Sequence, residues 1–242
     1  MRDPGLLMSA VDVFLIHGVE GKMDVKTSYT PLVESIRRKL PLDFEMNVHP
    51  IDYCPLLEGR EEEIYQLMKP FAGWGRLLEL GCKLIGDVLA FAPPEKWDGT
   101  PGNFYYDLYA MLCDTYDQIN AIRPDSKKVI IAHSLGTEVS IPFGFRRKID
   151  ALFTMGSPIL FFSLRFKDGG KCPEIPVFHN FWRKYDPVGP SPLSIKDPFK
   201  GVQDHQVKSL DPRHIVPILA HTSFWTDDFV AKTIAAELLK LC

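Results

Sequence analysis

The sequence has no run of about 18 uninterrupted apolar residues, so no membrane-spanning helix is predicted. It has no long block of lysine and arginine, and its formal charge is −3, so the footprint of a nucleic-acid-binding protein is missing. Cysteine is sparse. The five, Cys54, Cys82, Cys113, Cys172 and Cys242, are odd in number and scattered, with no CxxC pair. That argues against a disulfide framework, and reduced thiols in a cytoplasmic protein are the simpler reading. No HExxH motif occurs; His49-x-x-Asp52 and the pair His205 and His214 come nearest to a ligand set, and no metal or cofactor is expected. Repeats and low-complexity tracts are absent. The opening residues, MRDPGLLMSAVDVFLIHG, hold an acid and a proline early and run straight into a strand-like segment, unlike a secretory leader.

What is there suits one globular domain over residues 1–242: 45% apolar and 24% charged residues in a chain long enough to bury a sizeable core. Short apolar runs alternate with helical patterns. Val11–Gly18, Phe44–Tyr53, Lys127–Ser134, Asp150–Pro158, Ile175–Asp186 and Asp204–Leu210 read as six strands. Ser28–Leu40 reads as a helix with Pro31 in its first turn and Leu32, Ile36 and Leu40 on one face. Phe104–Ile122 places Leu108, Leu112, Ile119 and Ile122 at helical spacing. Trp225–Leu241 closes the chain with Val230, Ile234, Leu238 and Leu241 on one side. Such alternation predicts an α/β fold, a mostly parallel sheet covered by helices on both faces. Function in such sheets gathers at the carboxyl ends of the strands. Residues 55–103 exceed what a crossover needs and are expected to form a helical cap or insertion, or else ordinary covering helices.

The third strand ends in Ala132-His133-Ser134-Leu135-Gly136, a G-x-S-x-G motif with alanine for its first glycine. The mechanical logic is a sharp strand-to-helix turn that lifts the serine hydroxyl clear of the sheet, with small residues two before and two after so that neighbouring backbone can pass. Ser134 is the candidate nucleophile; a plain helix N-cap is the alternative. The Leu135 amide would face a developing oxyanion. His17-Gly18 ends the first strand and would supply a second amide, from Val19. Asp186, ending the fifth strand in FWRKYDPVGP, is the first choice for an acid that holds a histidine in one tautomer, ahead of Asp197, Asp204 and Asp211. His221, in a loop just before the last helix, is the first choice among seven histidines, with His214 in reserve. Pro142 falls in the helix expected after Ser134 and should shorten or bend it.

With IHG, AHSLG, TMGSP, DPV and HTSFW in this order, the chain resembles the α/β-hydrolase superfamily over nearly its whole length outside Pro55–Asn103. Those motifs look most like the lipases and esterases of the class 3 kind. Ser…Asp…His is the chain order of that fold's triad. The resemblance implies a serine hydrolase acting on small or lipid-like acyl esters, with Ser134 as nucleophile, His221 as general base and acid, Asp186 as its orienter, and Val19 and Leu135 as oxyanion amides. Acyl transfer on the same triad and a non-catalytic binding protein are the alternatives. Two apolar segments, Phe71–Phe91 and Ile159–Phe162, leave transient contact with a membrane surface open.

Overall fold

The computed structural model describes residues 10–18, 25–52, 104–159, 173–186, 188–189, 199–208 and 211–242. The expected insertion at 55–103, Val19, Asp197 and the segment after Ile159 lie outside the described residues. Six strands form one sheet: β1 (Val11–Ile16), β2 (Met46–Pro50), β3 (Lys127–His133), β4 (Ala151–Met155), β5 (Val177–Trp182) and β6 (Gln203–Gln206). Every pairing is parallel, in the order β2-β1-β3-β4-β5-β6.

The order contains one reversal. From β1 the chain steps to β2 on one side, then returns past β1 to β3 and continues in that direction. Parallel crossovers are right-handed, so the two directions of travel put their helices on opposite faces. The apolar clusters follow. On one face Val11, Val13, Leu15, Val129, Ile131 and Phe153 pack with Leu32, Val33 and Ile36 of α1 (Val25–Arg37). Val230, Ile234 and Leu238 of the last helix, here α5 (Asp228–Leu241), complete that layer. On the other face Phe14, Ile16, Ile130, Ala132 and Leu152 meet Leu108, Leu112 and Tyr116 of α2 (Phe104–Ile122) and Val139 and Phe143 of α3 (Gly136–Gly144). The alternation of Val13 and Leu15 against Phe14 and Ile16 is the period-two pleat, with both faces apolar because both are covered.

Several element boundaries differ from the sequence expectation. α1 starts at Val25, so Pro31 sits in its second turn rather than its first. Ile122, expected on the apolar stripe of α2, is 72% exposed, and Tyr116 takes the buried place, with its hydroxyl donating to the Lys148 carbonyl at 2.7 Å. The last helix starts three residues later than expected, because the Asp227 side chain caps it by accepting from the amides of Phe229 and Val230. α3 is short, as Pro142 foretold, and the proline lies in its last turn, leaving the first turn behind Ser134 regular.

Among the described residues no helix is long and apolar enough to cross a membrane, and no group of histidine, cysteine and acidic residues could hold a metal ion.

Candidate active site

The reversal of strand order lies between β1 and β3, and their carboxyl ends carry His17-Gly18 and His133-Ser134 side by side. Open parallel sheets bind ligands at such a switch point. Ser134 has a φ of 52°, the one positive φ outside glycine among the described residues. A side chain is strained in that region, and the strain is retained because the strand behind and the helix ahead fix the turn. The Ser134 amide donates to the Met155 carbonyl at 2.9 Å, and the Thr137 hydroxyl donates to the Ser134 carbonyl at 2.7 Å. Leu135 then starts α3 as its N-cap residue.

Neighbouring backbone passes very close to this turn. A Cβ on Gly18 would come within 2.5 Å of Ser134 Cβ, and one on Gly136 would come within 2.7 Å of the Ile16 carbonyl oxygen. The glycines of the two motifs are thus the condition for packing the turn after β1 against the turn after β3. Ala132, replacing the first elbow glycine, is fully buried between strands without such a conflict.

His221 reaches the serine from the far end of the chain. Its Nε2 lies 2.9 Å from Ser134 Oγ, and its Nδ1 lies 2.9 and 3.0 Å from the two oxygens of Asp186. All three residues are buried. A carboxylate at Nδ1 fixes the proton there, so Nε2 presents its lone pair to the serine hydroxyl. Burial alone would raise the Asp186 carboxyl. The hydrogen bond and charge of His221, with the amides of Val188 and Gly189 on Oδ1, outweigh it and hold the group below the ordinary carboxylate value. The sequence expectation of a loop at His221 is corrected. The residue sits in α4 (Pro217–Thr222), followed by a 3-10 turn over Ser223–Thr226. Pro217 at the start of α4 suits a helix N-terminus, where its missing N–H is no loss.

The reserve candidates are elsewhere. His214 contacts Arg183 at 3.3 Å, Asp204 accepts from Asn180 at 2.8 Å, and neither is bonded to the serine or to His221. His49 hydrogen-bonds Asp12 at 2.9 Å, and His205 pairs with His179 at 2.7 Å, so the histidines weighed as metal ligands are otherwise engaged. His17 donates Nδ1–H to the Gly18 carbonyl at 2.5 Å, and burial depresses its basicity.

Three contributors went unread in the sequence. Gly156, after β4, has a φ of 54°, and a Cβ there would stand 2.9 Å from both Asp186 Oδ2 and His221 Nδ1. The Asp–His pair occupies the space that any side chain would fill. Gly189 is the second, since its Cβ would come within 2.6 Å of the Gly156 Cα. Glu138, in the first turn of α3, is the third. Its carboxyl is buried, and burial pushes it well above the ordinary range. A glycine after a strand and an acid in a helix are too common in sequence to signal these roles.

Neither a protein-family model nor a curated protein matches the sequence. Among solved structures, the chain is similar to a protein of unknown function and candidate α/β hydrolase from Agrobacterium tumefaciens. The identity is 12% over 98% of this chain and 91% of that one, with a TM-score of 0.51. The chain has the α/β-hydrolase fold. A Trichoderma reesei cutinase, solved with a phosphonate inhibitor, is similar at 13% identity over 97% of this chain and 77% of its own, with a TM-score of 0.49. A cutinase-like protein from a Cryptococcus species is similar at 10% identity over 96% of each chain, with a TM-score of 0.46. At such identities the likeness is one of fold. In the α/β-hydrolase fold the strand-to-helix elbow stands at the carboxyl edge of the sheet, where β3 and α3 place Ser134.

Proposed function

We propose that the protein is a serine hydrolase of carboxylic esters, an esterase- or lipase-like enzyme that works through an acyl-enzyme on Ser134. The observation that carries this reading is the unbroken chain from the Asp186 carboxylate through both ring nitrogens of His221 to Ser134 Oγ, each link 2.9 to 3.0 Å long and buried.

The Ser134 hydroxyl attacks the acyl carbonyl as its proton passes to His221 Nε2. Asp186 keeps the imidazole in the required tautomer and stabilises its charged form without taking the proton. The tetrahedral oxyanion is held by the amide of Leu135 at the start of α3 and by that of Val19 after β1. One such donor contributes about 3–4 kcal/mol in sites of this type. His221 then protonates the leaving alcohol. Water, deprotonated by the same imidazole, releases the acid. Acyl esters, with lipid-like esters among them, are the substrate class this chemistry takes.

The test is labelling by a fluorophosphonate, with mass spectrometry to locate the adduct, on the wild type, Ser134→Ala and His221→Ala. An adduct on Ser134 that is absent from both variants is expected, with ester hydrolysis lost by several orders of magnitude in each. A folded wild type that neither labels nor hydrolyses p-nitrophenyl esters of any chain length would overturn the reading.

A further inference from the structure

The histidine next to the serine has no part in the proton transfers above, yet it contacts the residue that makes them. His133 ends β3 and is 1% exposed. Its Nε2 lies 2.8 Å from the main-chain carbonyl oxygen of His221. A carbonyl only accepts, so Nε2 carries the proton and donates. The ring lies 4.8 Å from that of His221, centroid to centroid and tilted by 38°. Two further rings of the same segment close around it, Phe224 at 6.0 Å and Trp225 at 5.5 Å. On its other side the backbone leaves no spare room, since a Cβ on Gly18 would be 3.3 Å from His133 Nδ1.

We infer that His133 is a positioning residue: its Nε2–H pins the His221 main chain to the strand that carries Ser134, and so sets the distance across which the proton moves. This rests on the hydrolase reading above. The physical basis is one of lever arms. His221 lies 87 residues from Ser134 in sequence, on a helix of six residues. A helix so short has little stability of its own and takes its position from what it is packed against. The rear of the His221 side chain is held by Asp186, but a hydrogen bond to Nδ1 permits the ring to swing about that contact. A second bond, to the carbonyl of the same residue, removes the swing. Because the donor is on the residue adjacent to the nucleophile, both ends of the proton path share one rigid strand.

The protonation state suits the task. Burial, and then the charge of His221, depress His133 to about 3, so the ring stays neutral when His221 becomes charged. A neutral ring 4.8 Å from an imidazolium does not oppose it, whereas a charged one would.

The test compares His133→Phe, which keeps the ring and removes the donor, with His133→Gln, whose amide nitrogen reaches about where Nε2 lies. The readouts are kcat and KM for the p-nitrophenyl ester that the wild type cleaves fastest, the rate of fluorophosphonate labelling, and the low-field NMR signal of the proton shared by His221 and Asp186. His133→Phe is expected to lower kcat about 10- to 100-fold with KM unchanged, the scale set by sub-ångström misplacement of reacting groups. The low-field signal shifts or broadens, and His133→Gln restores most of the rate. A His133→Phe enzyme with wild-type kcat and signal, or a glutamine variant no better than phenylalanine, would overturn the inference. Should His133→Phe not fold, His133→Met against His133→Gln, matched in length, makes the same comparison: a glutamine variant faster than methionine supports the pin, and equal rates overturn it. A wild type that never labels overturns the hydrolase reading itself; a wild type that labels beside variants that are unaffected overturns this inference alone.

Discussion

At the carboxyl end of the sheet Asp186 faces one imidazole and two amides. At the amino end Asp12, fully buried on β1, faces far more positive charge. Arg123 donates to it from Nε at 3.0 and 3.2 Å and from Nη2 at 2.6 Å, His49 at 2.9 Å, the Ser126 hydroxyl donates as well, and Lys128 Nζ is 3.6 Å away. Burial would raise the Asp12 carboxyl, and these partners hold it below the ordinary value instead. Both ends bury a carboxylate, and the difference lies in what each leaves unspent. The Asp12 cluster satisfies its charges among themselves: Lys128 Nζ also donates to the carbonyls of Arg123 and Ser126 at 2.7 and 3.1 Å. The Asp186 pair leaves a basic nitrogen that faces a hydroxyl. A saturated cluster is a structural clasp; one held a proton short of saturation is a site for chemistry.

The largest effect expected from breaking this comparison is at Asp186. Asp186→Asn keeps the shape and removes control of the tautomer, and kcat should fall about 10⁴-fold with little change in melting temperature. An enzyme retaining most of its rate would show that the acid is not needed. Asp12→Asn is the mirror experiment. It leaves the buried Lys128, and the partly exposed Arg123 beside it, without their counter-charge, costing about 3 kcal/mol of stability in chemical denaturation. Its rate per folded molecule should match the wild type. A stable Asp12→Asn protein with reduced kcat would reverse the roles assigned to the two ends.

Gly156→Ala sharpens the comparison at the active end alone. The added methyl meets Asp186 and His221 at 2.9 Å on a backbone of positive φ, so the pair must move. A loss of about 100-fold in kcat is expected, measured with saturating ester. Unchanged kinetics would mean that the pair has slack that the present geometry does not suggest.

The smallest expected effect is on acid stability. His179 is buried and depressed to about 4, by burial first and then by His205 beside it, and His205 is itself lowered by burial. The folded state therefore binds fewer protons than the unfolded chain. Stability is complete above about pH 6.5 and declines as pH falls from there toward about 4. Asp12 and Asp186 are depressed carboxyls, so their contribution is present above the ordinary carboxylate value and is lost as pH falls below it. Denaturation midpoints followed from neutral pH into acid should show two declines. His133, depressed to about 3, and His17 and His205, also lowered by burial, titrate over the same range, so His179→Gln should shrink the upper decline and leave the lower one unchanged; an upper decline as large as that of the wild type would show that His179 has no share in it.

How legible was this molecule beforehand? Five of the six strands, the parallel sheet and the helix over Phe104–Ile122 follow from apolar runs, alternation and spacing, because burial writes its period into the sequence, whereas β6 is the polar, partly exposed Gln203–Gln206 and overlaps only the start of the expected Asp204–Leu210. Ser134, Asp186 and His221 were legible as candidates, since each stands at a strand end or next to a helix in the order one fold requires. The Asp12 clasp was not. Asp12, His49, Arg123, Ser126 and Lys128 are spread over nearly half the chain and show no local pattern. His221 was expected in a loop because a six-residue helix has too few positions to show a period.

The sequence by itself determined where most of the strands and the longer described helices would form, and which serine would stand on a strained turn. These are properties of near neighbours: apolar period, small residues at an elbow, a proline that ends a helix. Only the tertiary structure decided that His221 meets Ser134 across 87 residues, that Gly156 clears the space where His221 meets Asp186, and that the His133 ring meets the His221 carbonyl. Those contacts depend on strand order and on backbones packed to within a methyl group of one another. Chain spacing carries no information about either until the sheet has formed.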